Sequence, residues 1–396
     1  MTDAPIVDID PFSDEFRRDP EPAGERLQEA GPVVYLKSHG IYGMARYAEV
    51  HAVLRDHESF CSSGGAGLAN FKKEKPWRPP SLLLEADPPE HTRVRRIVSR
   101  IMSPRVVEGL RPEFERRADE LAARVAARGE IDGVAELAQA YPLLVFPDAV
   151  GVGEDGRENL IRYGSMVFNS FGPRNELFRE AMKDAGPVQE WIAAHTRRDA
   201  LAPDGLGDRL YQAADRGEIT SDEAALLVRS LLSAGVDTTA HALAWALHTF
   251  ATHPAEWARV RDDPSLVRPA FEEVMRLASP VLTMFRTTAR EVTVAGTVIP
   301  ADEKVLLFIA AANRDPREWP DPHRFDIDRR AAHHLSFGSG VHACVGAAIA
   351  RLEAEALFTA LARHVRTIEL AGPPTPRPNN SLNALAELPL HLTAAR

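Results

Sequence analysis

The residues best placed to do chemistry lie in FGSGVHACVG, Phe337 to Gly346. Cys344 is one of only two cysteines, the other being Cys61, so a disulfide framework is excluded and a reducing, cytoplasmic setting is the natural reading. The following AAIARLEAEALFTALARH repeats Ile349, Leu352, Ala356, Leu357, Ala360 and Leu361 at helical spacing. Cys344 is therefore expected at or just before a helix N-terminus, where unpaired amides and the positive end of the dipole favour a thiolate. Gly338, Gly340 and Gly346 would let the backbone approach a flat partner closely, since no Cβ intervenes. Two other readings of Cys344 compete. One is a small packed hydrophobe, the reading also given to Cys61. The other is a zinc ligand acting with His342, His333 and His334, although zinc sites usually present cysteine pairs or evenly spaced histidines and neither is present.

The elements that must position this cysteine read as mainly α with small, dispersed β-sheets. The chain has 396 residues, of which 44% are hydrophobic and 26% charged, enough to build a large core. A net charge of −10 argues against a general nucleic-acid binder. The first thirty residues contain no apolar run of signal-peptide length, and nowhere does an uninterrupted apolar run reach the roughly 18 residues of a membrane span. Helical patterns dominate from about residue 90 to 280, and VVYL, IYGMARY and KVLLFIAAANRD read as strands. VTVAGTVIP reads as a hairpin. AGPPTPRPNN, residues 371–380, reads as an irregular loop, and no internal repeat breaks the chain into units. The clearest helix starts at the capping box Thr220–Glu223 and is expected to run unbroken to Pro254, about 50 Å at 1.5 Å per residue. SAGVDTT interrupts its apolar pattern, and Gly235 alone should cost about 1 kcal/mol, which suggests a local widening beside a ligand.

The frame F-G-x-G-x-H-x-C-x-G resembles the haem-ligand loop of the cytochrome P-450 superfamily. Four further motifs stand in the family's order: EHTRVRR, AGVDTT (Ala234–Thr239), E-x-x-R (Glu273 and Arg276) with Arg324 of DPHRFD as its ion partner, and AANRDP. The resemblance spans nearly the whole chain. It implies one domain over residues 1–396, with haem b held between the central helix and the cysteine loop, and a soluble bacterial monooxygenase. Dioxygen is the implied co-substrate, and an iron–sulfur ferredoxin with its flavin reductase the electron source.

By this resemblance Cys344 is the iron ligand, and Phe337, Gly346, Ala234 and Gly235 flank the porphyrin. His91, Arg95, Arg286 and His342 are the propionate partners. The helical wheel places His91 and Arg95 in one direction, beside an apolar stripe of Val94, Ile97, Val98 and Ile101. Arg93, Arg96 and Arg100 point elsewhere, as a solvated face or a docking patch for an acidic donor. Thr238 is the implied hydroxyl on the oxygen side and Asp237 the implied proton gate. Their plain structural roles would be back-bonding within the helix and pairing with a cation.

KPWRPPS, Lys75 to Ser81, precedes EHTRVRR in the segment that loops over the distal face in this family. Its match, with LLLEADPP, resembles a subgroup that oxidises para-substituted benzoates such as 4-methoxybenzoate. Proline fixes this backbone, so Arg78 with Ser81 is expected to capture a small aromatic carboxylate, unless Arg78 is a surface cation or pairs with Glu85 or Asp87. Leu84, Val167, Phe168, Phe171, Ser230, Ser233, Val281, Met284 and Leu382 are the implied pocket walls, Met284 standing where an aromatic residue is expected. The competing functions are a tailoring monooxygenase for a terpenoid, macrolide or steroid, a haem-thiolate sensor, and a peroxide-driven enzyme.

Overall fold

Helix-forming sequence supplies most of the structure, a computed structural model that describes residues 3–395. The site is built by α1 (Glu90–Ile101), α2 (Pro104–Arg128), α3 (Glu158–Asn169), α4 (Ser221–Gly235), α5 (Asp237–Thr252), α6 (Val267–Ala278) and α7 (Ala347–His364). On α1 the apolar stripe behaves as its spacing requires: Val94, Ile97, Val98 and Ile101 are buried, whereas Arg93, Arg96 and Arg100 are exposed. The helix of the cysteine motif, α7, packs along α2 and α6. Its buried positions include Ile349, Leu352, Leu357 and Leu361. No helix among the described residues is long and apolar enough to cross a membrane.

The strands are short. One six-stranded sheet combines β1 (Ile6–Val7), β2 (Val34–Leu36), β3 (Ile41–Met44) and β4 (Phe60–Cys61) with β6 (Thr283–Thr288) and β9 (Lys304–Phe308), in the order β1-β2-β3-β9-β6-β4. A second sheet has the order β10-β13-β5, from β5 (Glu130–Asp132), β10 (Val365–Leu370) and β13 (Pro389–Ala394). The hairpin is present as β7 (Val292–Val294) and β8 (Thr297–Ile299). Ala295 at φ 47° and Gly296 at φ 86° give its two-residue turn the left-handed backbone that matches strand twist.

Two expectations change. Residues 371–380 are not wholly irregular, because β11 (Thr375–Arg377) pairs antiparallel with β12 (Ala384–Glu387). The central helix is not continuous either. It divides into α4 and α5 at Val236, whose φ of −105° and ψ of −62° depart from helical values. Thr238 Oγ1 donates to the Ala234 carbonyl at 2.7 Å and Thr239 Oγ1 to that of Gly235 at 3.4 Å, the back-bonding that bends helices. Gly235 also has a packing reason: a Cβ there would lie 2.2 Å from Phe146 Cε1. The close approach of Phe146 thus requires glycine at 235, one residue before the break.

Candidate functional site

The cysteine loop is fixed from below by a buried polar network. Arg276, fully buried, donates to both oxygens of the equally buried Glu273 at 2.8 Å and to the carbonyls of Asn313 and Pro322 at 2.8 Å. The expected third member differs. Arg324 contributes only its backbone carbonyl, 3.3 Å from Arg276, while the side chain of Arg329 reaches Glu273 at 3.0 Å. Asn313 then ties the network to the loop: its amide donates to Ser336 Oγ at 2.8 Å and its Oδ1 accepts from Leu335 N at 2.7 Å. Arg351 on α7 pairs with Glu272 at 2.6 Å and lies 4.6 Å over the Phe337 ring. His334 rests on Glu272 at 3.2 Å and His333 on Glu318 at 3.1 Å, so neither joins Cys344 in a zinc set.

Cys344 sits just ahead of α7, its amide donating to Phe337 O at 2.7 Å. Its side chain is accessible onto an internal cavity of about 290 Å³ while protein surrounds that cavity. Burial pushes the thiol up, against the opposing pull of the Gly346 amide, Arg95, Arg351 and the Ala347 amide. The pull of the helix end towards a thiolate is thus present but outweighed by burial, and a bound metal would be what removes the proton. Phe337, His342, Gly346, Ala234, Gly235, Arg95 and Arg286 all line the same cavity.

The donors around this cavity suit a flat group carrying two anionic arms. His91 does not itself line the cavity; it is 1% exposed, and neither ring nitrogen has a hydrogen-bond partner among the described residues. His342 lies with its ring tilted at 4.3 Å from it and makes no hydrogen bond through Nε2 among the described residues, Asp87 Oδ1 standing 3.9 Å away, while Nδ1 meets Leu83 O at 3.1 Å. The buried Arg286 guanidinium bonds only the Phe285 carbonyl, and burial lowers it to about 10. Burial, with His342 and Arg95 nearby, lowers His91 to about 4. Buried cations and orphaned imidazoles imply an anionic partner, so the residues present fit haem. Arg93 and Arg100 of the outer α1 face are ion-paired, with Glu223 and Glu218; Arg96 has no such partner among the described residues.

Across the cavity from Cys344 the walls are apolar except at one corner. Leu84, Val167, Phe168, Phe171, Val281 and Met284 line it, the two phenylalanine rings meeting edge to face at 5.7 Å. Ser81, Ser230 and Ser233 line it as well, with Ser81 Oγ 3.1 Å from Ser230 Oγ. Ser81 Oγ accepts from the Leu83 and Leu84 amides and Ser230 Oγ donates to Leu226 O, so in the Ser81–Ser230 pair the Ser81 hydroxyl is the donor. Leu382 is not at this cavity. It bridges Val281 through the backbone and lines a neighbouring cavity instead.

Arg78 reaches the corner, but it is ion-paired. Its guanidinium meets Glu85 at 2.9 and 3.3 Å, with the two side chains 10% and 3% exposed. It is thus not the lone cation the sequence suggested. That description fits Arg229, which lines the same corner, donates to Pro79 O at 2.8 Å and has no carboxylate within ion-pair distance among the described residues. Burial lowers its pKa. Sequence reasoning missed it, although LLVRSLLSAG offered a signal: an arginine in an apolar helix, four residues before Ser233. Thr238 lines the cavity, whereas Asp237 does not; Asp237 is buried behind the helix beside His241.

A helical body with a buried E-x-x-R network beneath an accessible cysteine, facing a cavity rimmed by orphaned donors, defines a haem-thiolate protein. The Cytochrome P450 family model matches residues 175–392. Cytochrome p450 CYP199A2 of Rhodopseudomonas palustris is 55% identical over 392 residues, covering 99% of this chain and 95% of that one. The beta-dihydromenaquinone-9 omega-hydroxylase of Mycobacterium tuberculosis is 30% identical, covering 98% and 79%. Among solved structures, cytochrome P450 CREJ in complex with (4-ethylphenyl) dihydrogen phosphate superposes with a TM-score of 0.89 at 25% identity, covering 97% of this chain and 99% of that one. Cytochrome P450 CYP109Q5 from Chondromyces apiculatus gives 0.83 at 29% identity, covering 98% and 99%. The chain belongs to the cytochrome P450 family, monooxygenases that bind haem through a cysteine thiolate and use dioxygen and redox partners.

Proposed function

We propose that the protein oxidises a small para-substituted aromatic carboxylate, 4-methoxybenzoate being the first candidate, and releases 4-hydroxybenzoate and formaldehyde. One observation carries this reading: away from the Cys344 end, where Arg95, Arg286 and His342 lie, the cavity wall is apolar apart from a polar corner of Ser81, Ser230 and Arg229, which has no ion pair among the described residues. A carboxylate supplies the charge that Arg229 lacks and competes with Ser230 Oγ for the Ser81 proton. The Phe168 and Phe171 wall then offers an aromatic surface for the ring to pack against. With one end fixed, the para substituent points at the Cys344 side, so position rather than intrinsic reactivity selects the carbon. The CREJ structure supports the class, since its ligand is also a para-substituted aromatic anion.

Cys344, His91, Arg95, Arg286 and His342 would hold haem, which when bound supplies reductive activation of dioxygen and insertion of one oxygen atom. Thr238 spends its proton on Ala234 O and so presents acceptor lone pairs to the cavity, suited to orienting a hydrogen-bond donor there. Asp237 relays protons to that side. Arg78 has a supporting role, holding Glu85, which in turn fixes the Ser81 amide at 2.7 Å. Oxidation at a methoxy carbon gives a hemiacetal that collapses to phenol and formaldehyde. A ferredoxin is the proposed electron donor, with Arg96 the free cation on its docking face, and the cytoplasm the proposed location.

The test is a titration of the ferric holoprotein with 4-methoxybenzoate and with its methyl ester, followed by the haem spin-state spectrum. The acid should shift the spectrum at far lower concentration than the ester, and turnover should release formaldehyde. Equal responses would remove the carboxylate argument and favour a neutral substrate.

A further inference from the structure

Two arginines meet at the polar corner. Arg78 Nη1 and Arg229 Nη2 both donate to the carbonyl of Pro79, at 3.0 and 2.8 Å, so their guanidiniums are neighbours. Burial lowers the Arg229 pKa and the charge on Arg78 adds to that, while Tyr163 and Glu85 act the other way. Burial also raises Tyr163, so its phenol stays neutral and brings no charge of its own to the corner.

Glu85 treats the two arginines differently. Its carboxylate takes Arg78 at 2.9 and 3.3 Å and the Ser81 amide at 2.7 Å, and its side chain is 3% exposed. Arg229 has no carboxylate partner among the described residues. Glu85 also stands one residue back from the substrate space. It lines an outer cavity of about 430 Å³, whereas Arg78 lines both that cavity and the cavity of Cys344. Farther out, Glu74 and Arg174 pair at 3.3 Å and Lys75 is exposed, so solvent and salt screen all three. Two guanidiniums and one buried carboxylate therefore leave the corner one net positive charge.

We propose that Glu85 is a specificity-determining residue that sets this charge, so that the corner admits a head group carrying one negative charge and rejects one carrying two. The inference rests on the reading of the corner as the anion site and narrows its substrate class to monoanions. A carboxylate neutralises the corner. A doubly ionised aryl phosphate brings a second negative charge that finds no counter-ion beside apolar walls, and an uncompensated buried charge is strongly unfavourable. Glu85 touches neither substrate nor reacting atoms; it acts through Arg78 and through its field. Without it, two unbalanced guanidiniums would suit a dianion instead.

The test is calorimetric titration of the ferric holoprotein with 4-methoxybenzoate, 4-methoxybenzenesulfonate and 4-methoxyphenyl phosphate. The last two share a tetrahedral head and differ in charge, since a phosphate ester loses its second proton near pH ~6. At about pH 8 the phosphate should bind at least about tenfold more weakly than the sulfonate; at about pH 5.5, where the phosphate is mostly a monoanion, the gap should close while the sulfonate is unchanged. Glu85→Gln should shift the phosphate-to-sulfonate affinity ratio towards phosphate by about 15- to 100-fold, the effect of one unit charge at ~6–10 Å with an effective dielectric of about 20. The Arg78→Met, Glu85→Met double variant keeps the net charge and should keep the parent's ratio. A parent that binds phosphate and sulfonate equally at about pH 8 overturns the proposal, as does a double variant that follows Glu85→Gln. A parent that takes the benzoate but neither tetrahedral head at either pH selects by shape, which also overturns it. If Glu85→Gln does not fold, the pH series on the parent decides. If none of the three anions binds, the reading of the corner as an anion site falls as well.

Discussion

Replacing Arg78 by methionine separates its structural role from substrate capture. Glu85, 3% exposed, accepts from Arg78 at 2.9 and 3.3 Å and from the Ser81 amide at 2.7 Å. Without Arg78, a buried carboxylate keeps one amide donor, which should destabilise the protein by about 3–5 kcal/mol. Arg78→Met with Glu85→Met leaves no charge behind, and a well-packed apolar pair is near neutral. The double-mutant cycle should thus show a coupling energy of about 3 kcal/mol, measured by guanidinium unfolding of the ferric holoprotein. Binding should divide differently. Glu85 already balances Arg78, so the double variant should bind 4-methoxybenzoate within about tenfold of the parent, whereas Arg229→Met removes a hydrogen bond to a charged group and should weaken binding by roughly 1.5–3 kcal/mol, about 10- to 150-fold. Additive stability effects, or unchanged benzoate affinity in Arg229→Met, would refute this division of labour.

Glu273→Gln keeps the shape of the network but strands the fully buried Arg276, so stability should fall by about 3–5 kcal/mol and haem should be lost on dilution faster than from the parent. Retention of both would mean that the cysteine loop does not depend on this pair. Gly235→Ala drives a Cβ into Phe146 at 2.2 Å and should cost about 1–3 kcal/mol, with Phe146→Leu in the same chain recovering most of it, as read from denaturation midpoints. Lys304 donates to Gly65 O at 2.7 Å, and burial lowers its pKa to about 7. Its unfolded value is about 10.4, so between these limits the unfolded chain binds the extra proton and stability rises with pH by at most ~5 kcal/mol. Lys304→Met should flatten the rise in melting temperature from pH 7 to 10 relative to the parent; parallel profiles would show that Lys304 does not titrate in that window.

What could be read from the sequence was whatever local spacing determines. The buried stripe of α1, the α7 helix after Cys344 and the hairpin turn at Ala295–Gly296 follow from periodicity and backbone preference. What could not be read depends on partners brought together by folding. Arg329 rather than Arg324 reaches Glu273, because the chain between them turns and puts the later side chain inward. Arg78 was sensibly singled out, but Glu85 sits seven residues on and only the fold of the intervening loop closes that pair. The need for glycine at 235 comes from the Phe146 ring, which lies some ninety residues away. Leu382 belongs to the right neighbourhood and the wrong side of a wall.

The cavity's two ends have separate owners along the chain. Residues 335–350 grip the sulfur end, braced by α6 and Asn313, whereas the polar corner is made by residues 78–85 and one turn of α4. Mutational drift can therefore remodel the recognition end while leaving the metal end untouched. A lineage carrying this scaffold could change diet by altering a handful of positions, without relearning how to handle oxygen.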